Sequence, residues 1–118
     1  MPTSDGYPTP GAVVRVPFPY TDAHARQHRP ALVVAAAGPG PTPFLLWVVM
    51  ITSATHRGWP GDFDIPDAAA AGLPAPSVIR TAKIATIEVA HAEPRGRVED
   101  TTLAAVRAEI AARLGLAR

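Results

Sequence analysis

No cysteine occurs among the 118 residues, which excludes a disulfide scaffold, thiolate metal sites and a catalytic thiol. Charge of one sign is missing too, because the Lys and Arg total of 11 against 10 Asp and Glu leaves a formal net charge of +1. That balance gives no global attraction to nucleic acid, so any anion site has to come from local clustering. The start, MPTSDGYPTP, carries neither a basic region nor an apolar one, and no signal peptide is expected. Long hydrophobic runs are absent as well. The longest, Phe44 to Ile51, suits a buried strand and falls far short of a bilayer span. No membrane association and a cytoplasmic location are therefore expected. Lysine is nearly missing, Lys83 being the one example, and the arginine excess reads as the bias of a GC-rich coding sequence.

What is present is a set of short segments separated by proline and glycine. Residues 1–10 read as a flexible N-terminal segment and 11–118 as one domain. AVVRVPF has the β-branched content of a strand and is followed by the first loop, PYTDAHARQH. RPALVVAAA is a second strand, with Pro30 at its start, where no ladder donor is needed. After the rigid connection GPGPTP comes FLLWVVMITS, apolar on both faces and therefore a central strand. ATHRGWPG interrupts the pattern, and DFDI alternates acidic and apolar residues like a strand with one wet face. PDAAAAGL suits one helical turn ending at Gly72. SVIRTAKIATIEV is either one long strand or two short ones broken near Ala82.

EDTTLAAVRAEIAARLG is the clearest helix, with Asp100 or Thr101 as cap and Gly115 as its left-handed end. Leu103, Val106, Ile110 and Leu114 would form one core-facing stripe. The expected fold is mainly β with a C-terminal helix, a small twisted antiparallel sheet or half-open barrel with the helix on one face. No P-loop or GxGxxG pattern occurs, and the four histidines lack a ligand spacing, so neither a cofactor nor a metal is expected.

Four blocks together resemble the MazF/PemK toxins of bacterial type II toxin–antitoxin systems. They are GAVVRVPFPYTDAHARQHRPALVV, ITS at 51–53, GLPAPSVIR at 72–80, and TIEVAHAEPRGRV before the terminal helix. The resemblance implies an SH3-like barrel, usually a homodimer, and metal-independent cleavage of single-stranded RNA by attack of the 2′-hydroxyl on the adjacent phosphate. It also implies an antitoxin from an adjacent gene, with DNA contacted only through that complex.

Through that resemblance Arg29, Thr52 and His24 are the catalytic candidates. A guanidinium can donate two parallel hydrogen bonds to the phosphoryl oxygens as charge builds on them. A hydroxyl at Thr52 can hold the phosphate or orient the nucleophile, and a histidine at position 24 can take its proton. Arg80, Ser53, Arg57, Trp59 and His28 are the RNA-binding candidates, and Trp59 with Arg57 and His56 in the third loop suits base stacking beside phosphate contact. Each also has an ordinary reading: an edge arginine, a strand-end threonine, a solvated histidine, a tryptophan tucked over the barrel edge. For Arg80 that reading is a salt bridge to Glu88 or Asp22. Some family members carry a carboxylate two residues after the arginine matched by Arg80, and here that position is Ala82.

Two other readings compete. A catalytically weak or inert member would act only by binding RNA or antitoxin and regulating its own operon. A gyrase poison like CcdB, similar in fold, would need a Trp-Gly-Ile end, and this chain ends LGLAR.

Overall fold

The computed structural model describes residues 8–17, 28–37 and 44–116. They form β1 (Ala12–Pro17), β2 (His28–Ala37), β3 (Leu45–Ser53), β4 (Asp62–Asp64), β5 (Ser77–Glu88), β6 (Glu93–Arg97) and one helix, α1 (Asp100–Arg113). The strands make one antiparallel sheet in the order β4-β5-β3-β2-β1-β6. The sheet is open: among the described residues no ladder joins β4 to β6.

Two apolar clusters, one on each side, hold the sheet. The alternation of a strand sends Val49 and Ile51 to one side and Leu46, Val48 and Met50 to the other. On the first side, α1 and the 65–73 segment cover Val13, Leu32 and Ile79, with Val106 fully buried at the centre of the helix contact. On the second, Val14, Val16, Ala31 and Val33 pack with the β3 residues and Ile87. β3 contributes to both clusters, which is why its sequence is apolar on both faces.

Arg107 of α1 donates from Nε and Nη2 to the carbonyl of Val34, at 3.1 and 2.9 Å. Val34 is the residue left over where the β2–β3 register shifts, and the helix satisfies its oxygen.

Several details differ from the sequence reading. β6 was not expected, since EPRGR has no apolar alternation. It forms because it is an edge strand on β1, where Pro94 is tolerated, and because its backbone is covered by the 68–72 turn. A Cβ on Gly96 would lie 2.5 Å from the Ala71 carbonyl carbon, and Gly72, at φ +78°, abuts Arg95 in return. PDAAAAGL makes a single turn, with Asp67 Oδ1 accepting from the Ala70 amide at 3.1 Å. The N-cap of α1 is Glu99, without a side-chain cap bond, rather than Asp100 or Thr101. Leu103, Val106 and Ile110 pack as expected, whereas Leu114 is 66% exposed because the helix ends at Arg113.

Gly115 terminates α1 at φ +77°, its amide reaching Ala112 O while the Leu116 amide reaches Ala111 O. β5 is one strand, but its ladder to β3 jumps from Met50↔Arg80 to Val49↔Ile84, leaving Thr81, Ala82 and Lys83 as a bulge. Thr9 and Pro10, at the end of the segment read as flexible, are held by Arg97 at 3.0 and 2.9 Å. GPGPTP and most of the first loop lie outside the described residues.

Candidate functional site

Strand register gathers the candidates from three separate blocks. Ala31 pairs with Met50, and Met50 pairs with Arg80, so these three share a face. Arg29 is two residues before Ala31 and Thr52 two after Met50, so both lie on that same face, at the same end of the sheet. The β2–β3 ladder stops at Ala31↔Met50, so β2 pairs there only with β1, and Pro30, which has no amide to donate, sits in that stretch. The face that carries Arg29, Thr52 and Arg80 is the one away from α1.

Arg80 is 5% exposed and committed to Asp62, its antiparallel neighbour on β4. Its Nε reaches Asp62 Oδ1 at 3.2 Å and its Nη2 reaches Oδ2 at 2.9 Å, a two-pronged pair. Asp62 Oδ2 also accepts from the amides of Gly58 and Trp59, at 3.2 Å each. The Arg80 hydrogen bond holds the Asp62 carboxyl below its ordinary value; burial opposes this, and the Trp59 and Gly58 amides add to it. The Trp59 ring lies over the guanidinium, 4.4 Å from its centroid, and Lys83 approaches the same ring at 5.4 Å. Among the described residues the carboxylate partner of Arg80 is Asp62 and not Glu88, a pairing that could not be inferred from a sequence separation of 18 residues; Asp22 lies outside the described residues.

Arg80 Nη2 also donates to the backbone carbonyl of His56. His56 ends a 3-10 turn, Ala54–His56, that leads directly out of β3. Ser53 caps that turn by accepting from the Thr55 amide at 3.2 Å, and its hydroxyl bonds the Thr55 hydroxyl at 2.9 Å. The turn brings His56 back over the strand end, so that its Nδ1 lies 3.2 Å from Thr52 Oγ1. Thr52, Arg80, Asp62, Trp59 and His56 therefore form one connected group.

The remaining candidates sit differently. Ser53 points to the opposite face from Thr52, and His28 to the opposite face from Arg29. Arg57 is exposed and pairs with Asp64 at 2.9 Å. Arg57, Trp59, Asp62, Asp64 and Val78 line an open cleft of about 370 Å³. His24 lies outside the described residues. Ala82 is exposed in the β5 bulge. The sequence reading names His56 only as a member of the third loop; the signal for its contact with Thr52 was a spacing of four residues across a Ser-capped turn.

A family model described as PemK-like, MazF-like toxin of type II toxin–antitoxin systems matches residues 9–114. Among solved structures, the chain is similar to a MazE–MazF complex from Deinococcus radiodurans, at 23% identity and TM-score 0.72, covering 96% of this chain and 100% of that one. It is similar to an endoribonuclease in complex with its cognate antitoxin from a mycobacterial species, at 20% identity and TM-score 0.71, over 94% and 98%. The Mycobacterium tuberculosis toxin MazF-mt6 follows at 22% and 0.64, over 89% and 98%. At these identities the structural likeness carries the fold. No curated protein matches the sequence significantly.

Proposed function

The chain belongs to the PemK-like, MazF-like toxins of type II toxin–antitoxin systems, and from that premise we propose that it is a toxin endoribonuclease cleaving single-stranded RNA without a metal. The 2′-hydroxyl attacks the adjacent phosphate, leaving a 2′,3′-cyclic phosphate and a 5′-hydroxyl. Arg29 donates to the non-bridging oxygens as their charge grows, and Thr52 holds the phosphate beside it. Arg80 acts from behind: paired with Asp62 and stacked under Trp59, it fixes the turn that carries His56. Trp59 and Arg57, on the cleft of the third loop, take a flanking base and phosphate. His24, Ser53 and His28 stay secondary candidates for proton transfer and RNA contact.

The observation that carries the reading is the shared face of Arg29 and Thr52 at the end of a ladder, where β2 and β3 cease to bond each other. Register and alternation put both polar side chains on one face of the sheet at that end, where one phosphate would meet both. An antitoxin encoded next to the gene would neutralise the toxin by covering this face, in line with the antitoxin complexes among its structural relatives. A homodimer, DNA contact only through the antitoxin complex and action in the cytoplasm complete the proposal.

Incubation with a mixed-sequence single-stranded RNA in EDTA tests it. The wild type should cleave and leave cyclic phosphate ends, while Arg29→Ala should be slower by about 10²–10³-fold, the scale for losing one preorganised donor. Full activity in that variant would sink the role of Arg29. The exposed Ala82, where some relatives have a carboxylate, favours a second reading: a weak or inert member that only binds RNA and antitoxin. Folded wild type that binds the RNA and leaves it intact would decide for that reading.

A further inference from the structure

We propose that His56 is the general base of this site, receiving the 2′-hydroxyl proton at its Nε2 while its Nδ1–H is held by Thr52. The inference rests on the ribonuclease reading above and adds a residue that the resemblance did not supply for chemistry. One contact holds the imidazole and two hold the turn that carries it. Thr52 Oγ1 lies 3.2 Å from Nδ1, the Ser53 cap closes the turn beneath it, and Arg80 Nη2 holds its backbone carbonyl. Histidine changes charge in the neutral range, and a hydrogen bond at one ring nitrogen decides which nitrogen carries the lone pair. With Nδ1–H donated to Thr52, the lone pair is on Nε2, which bonds nothing among the described residues, and His56 is exposed. The same arrangement leaves the Thr52 hydroxyl hydrogen available to a phosphoryl oxygen.

Two of the cations around the ring are paired with carboxylates of β4. Arg57, its chain neighbour, meets Asp64 of β4 at 2.9 Å, and Arg80 of β5 meets Asp62 of β4 at 2.9 Å. Lys83 of β5 sits over the far ring, Trp59. Arg29 of β2 shares the face and is the cation that meets the phosphate.

The step closes as follows. The 2′-O–H bond breaks and its proton passes to Nε2 as the 2′-oxygen bonds phosphorus. The P–O5′ bond breaks, and its electron pair leaves on the 5′-oxygen. That oxygen takes a proton from water, and the hydroxide formed is neutralised by the imidazolium, which restores His56.

Single-turnover cleavage in EDTA, followed across about pH 5 to 8, tests this with His56→Gln beside His91→Gln and the wild type. The wild-type rate should rise with pH across that range. His56→Gln should be slower by about 10²–10⁴-fold, the usual contribution of a general base, and lose that rise. His91→Gln, an exposed histidine outside the site, should keep both. Affinity for an RNA with a 2′-deoxy at the cut site should be unchanged in His56→Gln. A substrate with bridging sulfur at the 5′ position, which leaves without a proton, should not rescue the variant. Retention of rate and pH profile by His56→Gln overturns the proposal while the ribonuclease reading stands. Rescue by the sulfur substrate overturns the base assignment. A wild type that leaves RNA intact overturns both.

Discussion

β4 offers two aspartates to two arginines, and the two pairs have the same length. Arg80–Asp62 and Arg57–Asp64 both measure 2.9 Å, and the aspartates are two residues apart on one strand. Their surroundings differ. The first pair has side chains 7% and 9% exposed, and the second 59% and 70%. Buried charges depend on each other, because neither has water to turn to; exposed charges are solvated with or without a partner. Asp62 also gathers two loop amides, so its carboxylate organises the whole turn from Gly58 to Asp62. Distance alone does not reveal which pair holds the site together.

The strongest way to break the contrast is Asp62→Ala. It leaves the Arg80 charge buried without its carboxylate, and a loss of about 3–5 kcal/mol in unfolding free energy is expected by denaturant titration. A loss below that of the Asp64 variant would refute the ranking.

Acid should act on the same pair more gently. The folded-state value of Asp62 is depressed, so in acid the unfolded chain binds the proton more readily than the folded one. The stabilisation is present above the ordinary carboxylate value of 3.8 and is lost as pH falls through the lower folded value. Wild type should lose stability in that window, whereas Asp62→Asn, which has no carboxyl to titrate, should lose less. Parallel curves for the two proteins would mean other carboxylates dominate. The mildest change is Asp64→Ala, expected to cost about 0–1 kcal/mol, with that small difference vanishing in high salt. A cost comparable to Asp62→Ala would erase the distinction.

The contrast also explains what could be read from the sequence. β1, β2, β3 and β5 were legible because β-branched runs bounded by proline and glycine have few alternatives, and α1 because its stripe has the helical period. β6 was hidden because its reasons for existing are backbone ones: a glycine that lets another chain segment approach, and an edge that tolerates proline. For the candidate site, a resemblance named Arg29 and Thr52, and their common face was legible only once alternation and register were known. The partner of Arg80 was not, since it depends on how β4 docks on β5. The Thr52–His56 contact was hidden for a related reason. It needs a turn whose closure depends on Ser53, a residue read as an RNA ligand.

The bulge in β5 works like an expansion joint between two rigid spans. On one side, Ser77 to Arg80 are locked to β3 and β4 with their charges in register; on the other, Ile84 to Glu88 follow β3 alone. Between them Thr81 is tied to the Gly61 carbonyl at 2.8 Å, and the exposed Ala82 takes up the slack. A residue gained or lost at Ala82 would be absorbed there instead of flipping every side chain downstream to the wrong face. The exposed positions of the far span, Ile84, Thr86 and Glu88 among them, can thus change around the buried Ile87 while Arg80, Asp62 and the turn above them keep their alignment.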